Sequence, residues 1–247
     1  MGKYFNVEIK PTIPVLTAGQ HAAFGDGDVL FDWYAFDVPR GAARLIGASC
    51  DLRPKGNGAA DPNKFALEMF FAKSRNNGTD PTTLGAVNSA VTVPAFSPNQ
   101  IMAFVEVATG DFADHLDSTS HSHTVPLGGI VFQGEPKPEQ GTNVGYDRYY
   151  VTGMAGGNLD FTSLTRINNG TLDEDSLTVN GTDPRLFLNV GDVIAATASG
   201  SSEKALGTIR SMTDVNITLE TTTETAVVHQ DFIYNVAPIT IRLHFER

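Results

Sequence analysis

From Asp111 to His123 the chain reads Asp111-Phe112-Ala113-Asp114-His115-Leu116-Asp117-Ser118-Thr119-Ser120-His121-Ser122-His123, which gathers three of the six histidines and three aspartates. On a strand His121 and His123 would share a face, and imidazole beside carboxylate is a donor set for zinc or another transition metal. No second ligand pair of fixed spacing completes the set around His115, His121 and His123. The stretch reads as a solvated polar loop, with no essential metal expected. Asp26-Gly27-Asp28 offers oxygen ligands for calcium but lacks the later acidic positions and terminal Glu of an EF-hand loop. A hairpin turn entering a strand at Val29 accounts for it better, and Asp173-Glu174-Asp175 reads as an acidic, hydrated connection.

Covalent catalysis finds little support. There is no Gly-x-Ser-x-Gly elbow, and Cys50 lies in the alternating run Ala48-Ser49-Cys50-Asp51-Leu52, where it reads as a small buried hydrophobe. Glycan hydrolysis needs two carboxylates about 5–10 Å apart across a sugar, and nothing in the sequence selects such a pair from 28 acidic residues. Gly153-Met154-Ala155-Gly156-Gly157 is neither a dinucleotide fingerprint nor a P-loop, so it reads as a flexible turn or a tight backbone contact. Trp33, Tyr34, Tyr146, Tyr149 and Tyr150 could stack on sugars, but aromatics in alternating strands more often supply core. No catalytic residue and no cofactor are expected.

The elements that would hold these residues are strands. Phe5, Val7 and Ile9 alternate with polar neighbours, as do Ile239, Ile241, Leu243 and Phe245. Between them run Val29 to Phe36, Leu45 to Leu52, Phe65 to Ala72, Ile101 to Val107, Gly129 to Phe132 and Tyr146 to Thr152, most bounded by turn-forming residues. Helix is confined to single turns at Phe112 to Leu116 and Leu159 to Thr165. After Thr165 the spacing tightens: Leu177 to Val179, Leu186 to Leu188, Val190 to Ile194, Gly207 to Ile209, Asn216 to Glu220 and Asp231 to Tyr234 would make a small barrel, opened by a turn at Gly191-Asp192. The expected fold is all-β: an antiparallel, jelly-roll-like β-sandwich of residues 1–165 plus 237–247, with a small β-barrel inserted at 166–236. Two sequential domains are the competing arrangement.

Lys and Arg number 17 against 28 Asp and Glu, a formal charge of -11, which a nucleic acid would repel. The single cysteine fits a reducing compartment. Residues 1–8 lack the apolar run of a signal peptide, and no stretch approaches the roughly 20 apolar residues of a membrane span. A soluble protein without nucleic-acid or membrane partners is expected.

Several stretches resemble virion structural proteins of marine tailed phages, especially those infecting cyanobacteria. They are Val29-Leu30-Phe31-Asp32-Trp33 through Phe36-Asp37-Val38-Pro39-Arg40-Gly41-Ala42, Leu52-Arg53-Pro54-Lys55-Gly56, Gly141 to Asp147, and Ser163 to Asn168. Val190-Gly191-Asp192-Val193, Gly207-Thr208-Ile209 and Ile217-Thr218-Leu219 look like small-barrel modules of phage structural proteins. The resemblance implies a non-enzymatic virion component, assembled in the host cytoplasm, with other capsid or tail proteins as partners. Capsid decoration, neck, tail and fibre roles all fit it, as does the alternative of a receptor- or glycan-binding module. A decoration or accessory subunit, homo-oligomeric and suited as a trimer to local three-fold positions, is the favoured expectation. Trp33, Phe36, Pro39 and Arg40 are the candidate interface anchors, because aromatic and Arg side chains dominate interface energetics, although a core position suits Trp33 better.

Overall fold

The computed structural model describes residues 3–15, 20, 22–53, 66–75, 79–115, 120–132, 146–162, 164–169, 174–197, 203–223 and 226–247, with backbone only at 113–115 and 120–128. Its strands in chain order are β1 (Tyr4–Ile9), β2 (Val29–Pro39), β3 (Ala43–Leu52), β4 (Leu67–Lys73), β5 (Gln100–Val107), β6 (Ala113–His115), β7 (Ser120–Phe132), β8 (Tyr146–Ala155), β9 (Arg166–Ile167), β10 (Ser176–Asn180), β11 (Val193–Thr197), β12 (Lys204–Met212), β13 (Asn216–Leu219), β14 (Phe232–Asn235) and β15 (Ile239–Glu246).

Nine of them form two facing sheets. The five-stranded sheet runs β1-β15-β3-β7-β6 and the four-stranded sheet β2-β8-β4-β5, with every pairing antiparallel. Leaving out the short edge strand β6, successive strands cross between the sheets except at β4–β5, which is the jelly-roll distribution of four and four strands. The two inner faces meet through rings: Phe132 of the five-stranded sheet lies 5.5 Å from Phe71 and 5.2 Å from Tyr149 of the other, and 5.4 Å from Phe245 beside it. Edge-to-face contacts of this kind add roughly 0.5–1.5 kcal/mol each beyond buried area.

Alternation explains which residues face inward. In β15, Ile239, Ile241, Leu243 and Phe245 are buried while the residues between them are not. In β3 the parity changes midway: Ala43 and Leu45 are buried, then Ala48, Cys50 and Leu52. Ile46 is skipped in the pairing with both β15 and β7. A bulge there absorbs one residue and lets both halves of the strand point into the core.

The remaining six strands close a barrel in the order β10-β13-β12-β11-β14-β9, and β9 pairs back to β10. Its core, including Ile167, Leu177, Phe187, Ile194, Ile217 and Ile233, is distinct from the sandwich core. Gly191, at φ +90°, supplies the expected turn before β11. Leu186 to Leu188 is not a strand. Asp183 accepts the Arg185 amide and Pro184 starts a 3-10 turn through Leu186, which carries Phe187 and Leu188 into the barrel as plugs. The single helical turns also fall elsewhere: the described part of Phe112 to Leu116 contains β6, Leu159 to Thr165 has no helix among its described residues, and the only α-turn among the described residues is Val93–Phe96, where Pro94 fits the first turn.

The register puts the barrel at one end of the sandwich, where Ile9 lies beside Ile241, Leu52 beside Ile239, and Leu67 beside Ala155. The β1–β2 connection buckles the two together. Val15 packs with Ala195 and Tyr234 of the barrel wall, the Ile13 amide donates to the Val236 carbonyl at 2.9 Å, and the buried Gln20 amide donates to the carbonyls of Ile13 and Asn235. The β4–β5 connection wraps over the outside of the four-stranded sheet. There Asp80 accepts from Tyr150, the Leu84 amide donates to Asp32, and Asn88 joins the start of β2. Among the described residues no helix is long and apolar enough to cross a membrane.

Candidate functional site

The four expected interface residues do not form one surface. Phe36 is 5% exposed and sits among Phe71, Phe132, Tyr149 and Phe245, so it is corrected from anchor to core. Its parity with the buried Val38 dictates this. Trp33 is half-buried, and its indole N–H donates to the Thr82 carbonyl at 2.9 Å beneath the β4–β5 connection. Pro39 and Arg40 lie at the far tip of β2. The Arg40 guanidinium stands 3.8 Å from Asp147, whose other oxygen accepts the Gly41 amide. Six or seven residues of strand, roughly 20 Å at the usual rise, separate this tip from Trp33.

The outer face of the four-stranded sheet gathers apolar side chains instead. Phe70 and Phe104 are directly opposite on β4 and β5, with centroids 4.9 Å apart. The helical turn lays Phe96 edge-on against Phe70 at 5.1 Å. Phe70 and Phe96 line a groove of about 500 Å³ with Val91, Val93 and Met154; Phe104, beside it, and Val93 are 47% and 80% exposed. The next row on the same face is acidic: Glu68 lies opposite Glu106, and burial, then Glu106 and Asp26, push its carboxyl above the usual range. The signal for this face was the pair Phe70-Phe71, since neighbours on a strand point to opposite sides.

The outer face of the five-stranded sheet is a polar ladder assembled across β1, β15 and β3. Arg242 reaches Glu8 and Asp51 together, and Tyr4 donates to Glu246, which also faces Arg44. Between these rows the His244 ring joins Ser49 Oγ at Nε2, 2.7 Å, to Asn6 Oδ1 at Nδ1, 2.8 Å. With the proton on Nδ1 this is the nucleophile–base–orienter order of acyl-transfer enzymes. Sequence reasoning missed it because the three residues come from three strands far apart in the chain. Ser49 is in a strand paired on both sides, where backbone amides are engaged in the ladders rather than aimed at a developing oxyanion.

Other singled-out residues take structural places. Cys50 is fully buried, and burial pushes its thiol far above its ordinary range. Asp28 accepts the Gly25 amide in the turn leading to Val29. Gly153 lies in β8 under the Phe31 ring, where an added Cβ would come within 2.2 Å of a ring carbon, so it is a close backbone contact. Asp114 and His121 are paired on β6 and β7, but the side chains of Asp114, His115, His121 and His123 lie outside the described residues, as do Asp117 and Asp173. No metal-ligand cluster occurs among the described residues.

No family model matches the chain, and no curated protein matches it. Among solved structures, the infectious bursal disease virus VP2 subviral particle aligns at 10% identity over 99% of this chain with a TM-score of 0.15, a superposition too poor to support any argument. The chain spans about two fifths of that protein, 41% of its length.

Proposed function

We propose that this chain is a non-enzymatic structural component of a tailed-phage particle, a decoration or accessory subunit that acts through protein–protein contacts. The observation that carries this reading is the apolar groove of Phe70 and Phe96, with the exposed Phe104 ring packed against Phe70 beside it, on the outside of an otherwise acidic chain. Exposed aromatic patches with a polar rim mark contact surfaces. The flanking Glu68 and Glu106 select the partner's chemistry: an apolar knob bordered by Lys or Arg on a neighbouring capsid or tail subunit. Jelly rolls build viral capsid domains, as well as lectins and cupins, so fold and surface agree on an assembly role without the fold deciding it. The Ser49–His244–Asn6 row acts in this reading as a cross-strand strut. Homo-oligomerisation, with a trimer at a local three-fold position, belongs to the same proposal.

Immunogold labelling of purified particles tests the location, and depletion during assembly tests the role. Fragile or incomplete particles are expected. Intact particles that fail to adsorb to host cells would replace the decoration role with a receptor-binding one.

A further inference from the structure

Where the barrel meets the outer surface of the five-stranded sheet, a cleft of about 620 Å³ opens. That volume lies within the usual range for small-molecule sites, about 300–1,000 Å³. Both parts of the fold contribute: Lys10, Arg53 and Arg242 from the sandwich strands and their ends, Asn189, Asp192 and Asn235 from the barrel. No aromatic, Leu or Ile side chain lines it, so an apolar ligand would find nothing to pack against.

The three cations differ in what they already hold. Arg242 is committed to Glu8 and Asp51, and Lys10 to Glu8. Arg53 has its backbone amide fixed to the Pro238 carbonyl, while its guanidinium has no ion-pair partner among the described residues. On the facing wall one Asp192 oxygen accepts from the Asn189 amide at 2.8 Å and from the Asn235 side chain at 3.0 Å. The other Asp192 oxygen and the second Asn235 N–H remain for a ligand, since a carboxylate accepts on both oxygens and an amide carries two donors. Burial raises the Asp192 carboxyl, with Arg53 and Lys10 pulling it back, so this wall is partly desolvated and feels the opposite cations.

We propose that this cleft binds an acidic saccharide: Arg53 takes the sugar carboxylate, and Asp192, Asn235 and Asn189 take ring hydroxyls. A guanidinium matches a carboxylate through two parallel hydrogen bonds. The hydroxyls, each both donor and acceptor, match the mixed carboxylate and amide wall. Asp51 and Asp192 flanking the cations oppose a multiply charged phosphate. The site goes beyond the assembly role, because the cleft and the Phe70 groove have no lining residue in common.

The test is titration of the full chain, by calorimetry and saturation-transfer NMR, with digalacturonic acid, its neutral counterpart galactobiose, and inorganic sulfate. The uronate should bind at least tenfold tighter than the neutral disaccharide, and sulfate should not displace it at equal concentration. Arg53→Gln should weaken the uronate roughly ten- to a hundredfold while leaving galactobiose unchanged. Arg53→Lys, which keeps the charge without the fork and guards against misfolding, should fall between. Asp192→Asn should weaken both sugars. Uronate that shows no saturable binding at millimolar concentration, binds no better than galactobiose, yields to equimolar sulfate, or is indifferent to Arg53→Gln would overturn the proposal.

Discussion

Replacing Gln20 by Leu should loosen the junction between barrel and sandwich without unfolding either core. Gln20 is 2% exposed, and its side-chain amide donates to the carbonyls of Ile13 at 2.8 Å and Asn235 at 2.7 Å. Leucine fills the volume but leaves both carbonyls without that donor in a site that excludes water. Each buried unsatisfied group costs about 1–3 kcal/mol. Partial relaxation brings the pair to about 2–4 kcal/mol, a shift of roughly 4–16 °C for a chain of this size. The barrel and sandwich cores do not include Gln20, so far-UV circular dichroism at room temperature should be unchanged. Hydrogen exchange should locate the damage at the Ile13 amide, which donates to Val236 across the junction. A melting temperature within about 1 °C of the parent, with Ile13 protection intact, would refute the view that this side chain clamps the two parts.

Lys204→Met should cost about 3–5 kcal/mol in urea unfolding, because it strands the carboxylate of Asp231, 0% exposed and 2.6 Å from the ammonium; adding Asp231→Asn should recover part of that loss. Glu68→Gln should stabilise the protein by about 0.2–1 kcal/mol at neutral pH, the size of a cross-strand charge pair taken with the opposite sign for the facing like charges. Its sign follows from linkage: with its carboxyl raised in the fold, the folded chain binds more protons than the unfolded one across that window. Stability is therefore greater below it and falls as pH rises through it, so the gain from Gln, read as the shift in urea midpoint at two pH values, should vanish in acid. Phe104→Ser removes a 47% exposed ring and should cost the isolated protein only about 1 kcal/mol, yet abolish co-sedimentation with particles.

Much of the architecture was legible because its strands are half-buried and alternate. β15 displays its buried set at every second position, and the change of spacing after Thr165 coincides with the barrel strands. Where local pattern was interrupted, reading by parity failed. The Ile46 bulge moves the inward residues of β3 from odd to even numbers, and Pro184 turns an apolar triplet into a plug. Phe36 was assigned to the surface by residue type, although Val38 two positions on shared its face. The long β4–β5 connection has no periodicity of its own, yet it decides which part of the outer sheet stays open. Ser49, His244 and Asn6, like the walls of the Arg53–Asp192 cleft, meet only through pairing between distant segments, for which local sequence carries no signal.

The position of β15 has a consequence for synthesis. It is an interior strand, paired with β1 on one side and β3 on the other, and the chain reaches it only after all six barrel strands. The barrel ring can close on residues 166–235 alone. The sandwich cannot: until Ile239–Glu246 leaves the ribosome, β1 and the facing edge of β3 lack the partner that will separate them. Throughout that interval each exposes an unpaired strand edge, a template for association with any neighbouring chain. The strand made after the whole barrel is the one that joins the two halves of the sheet.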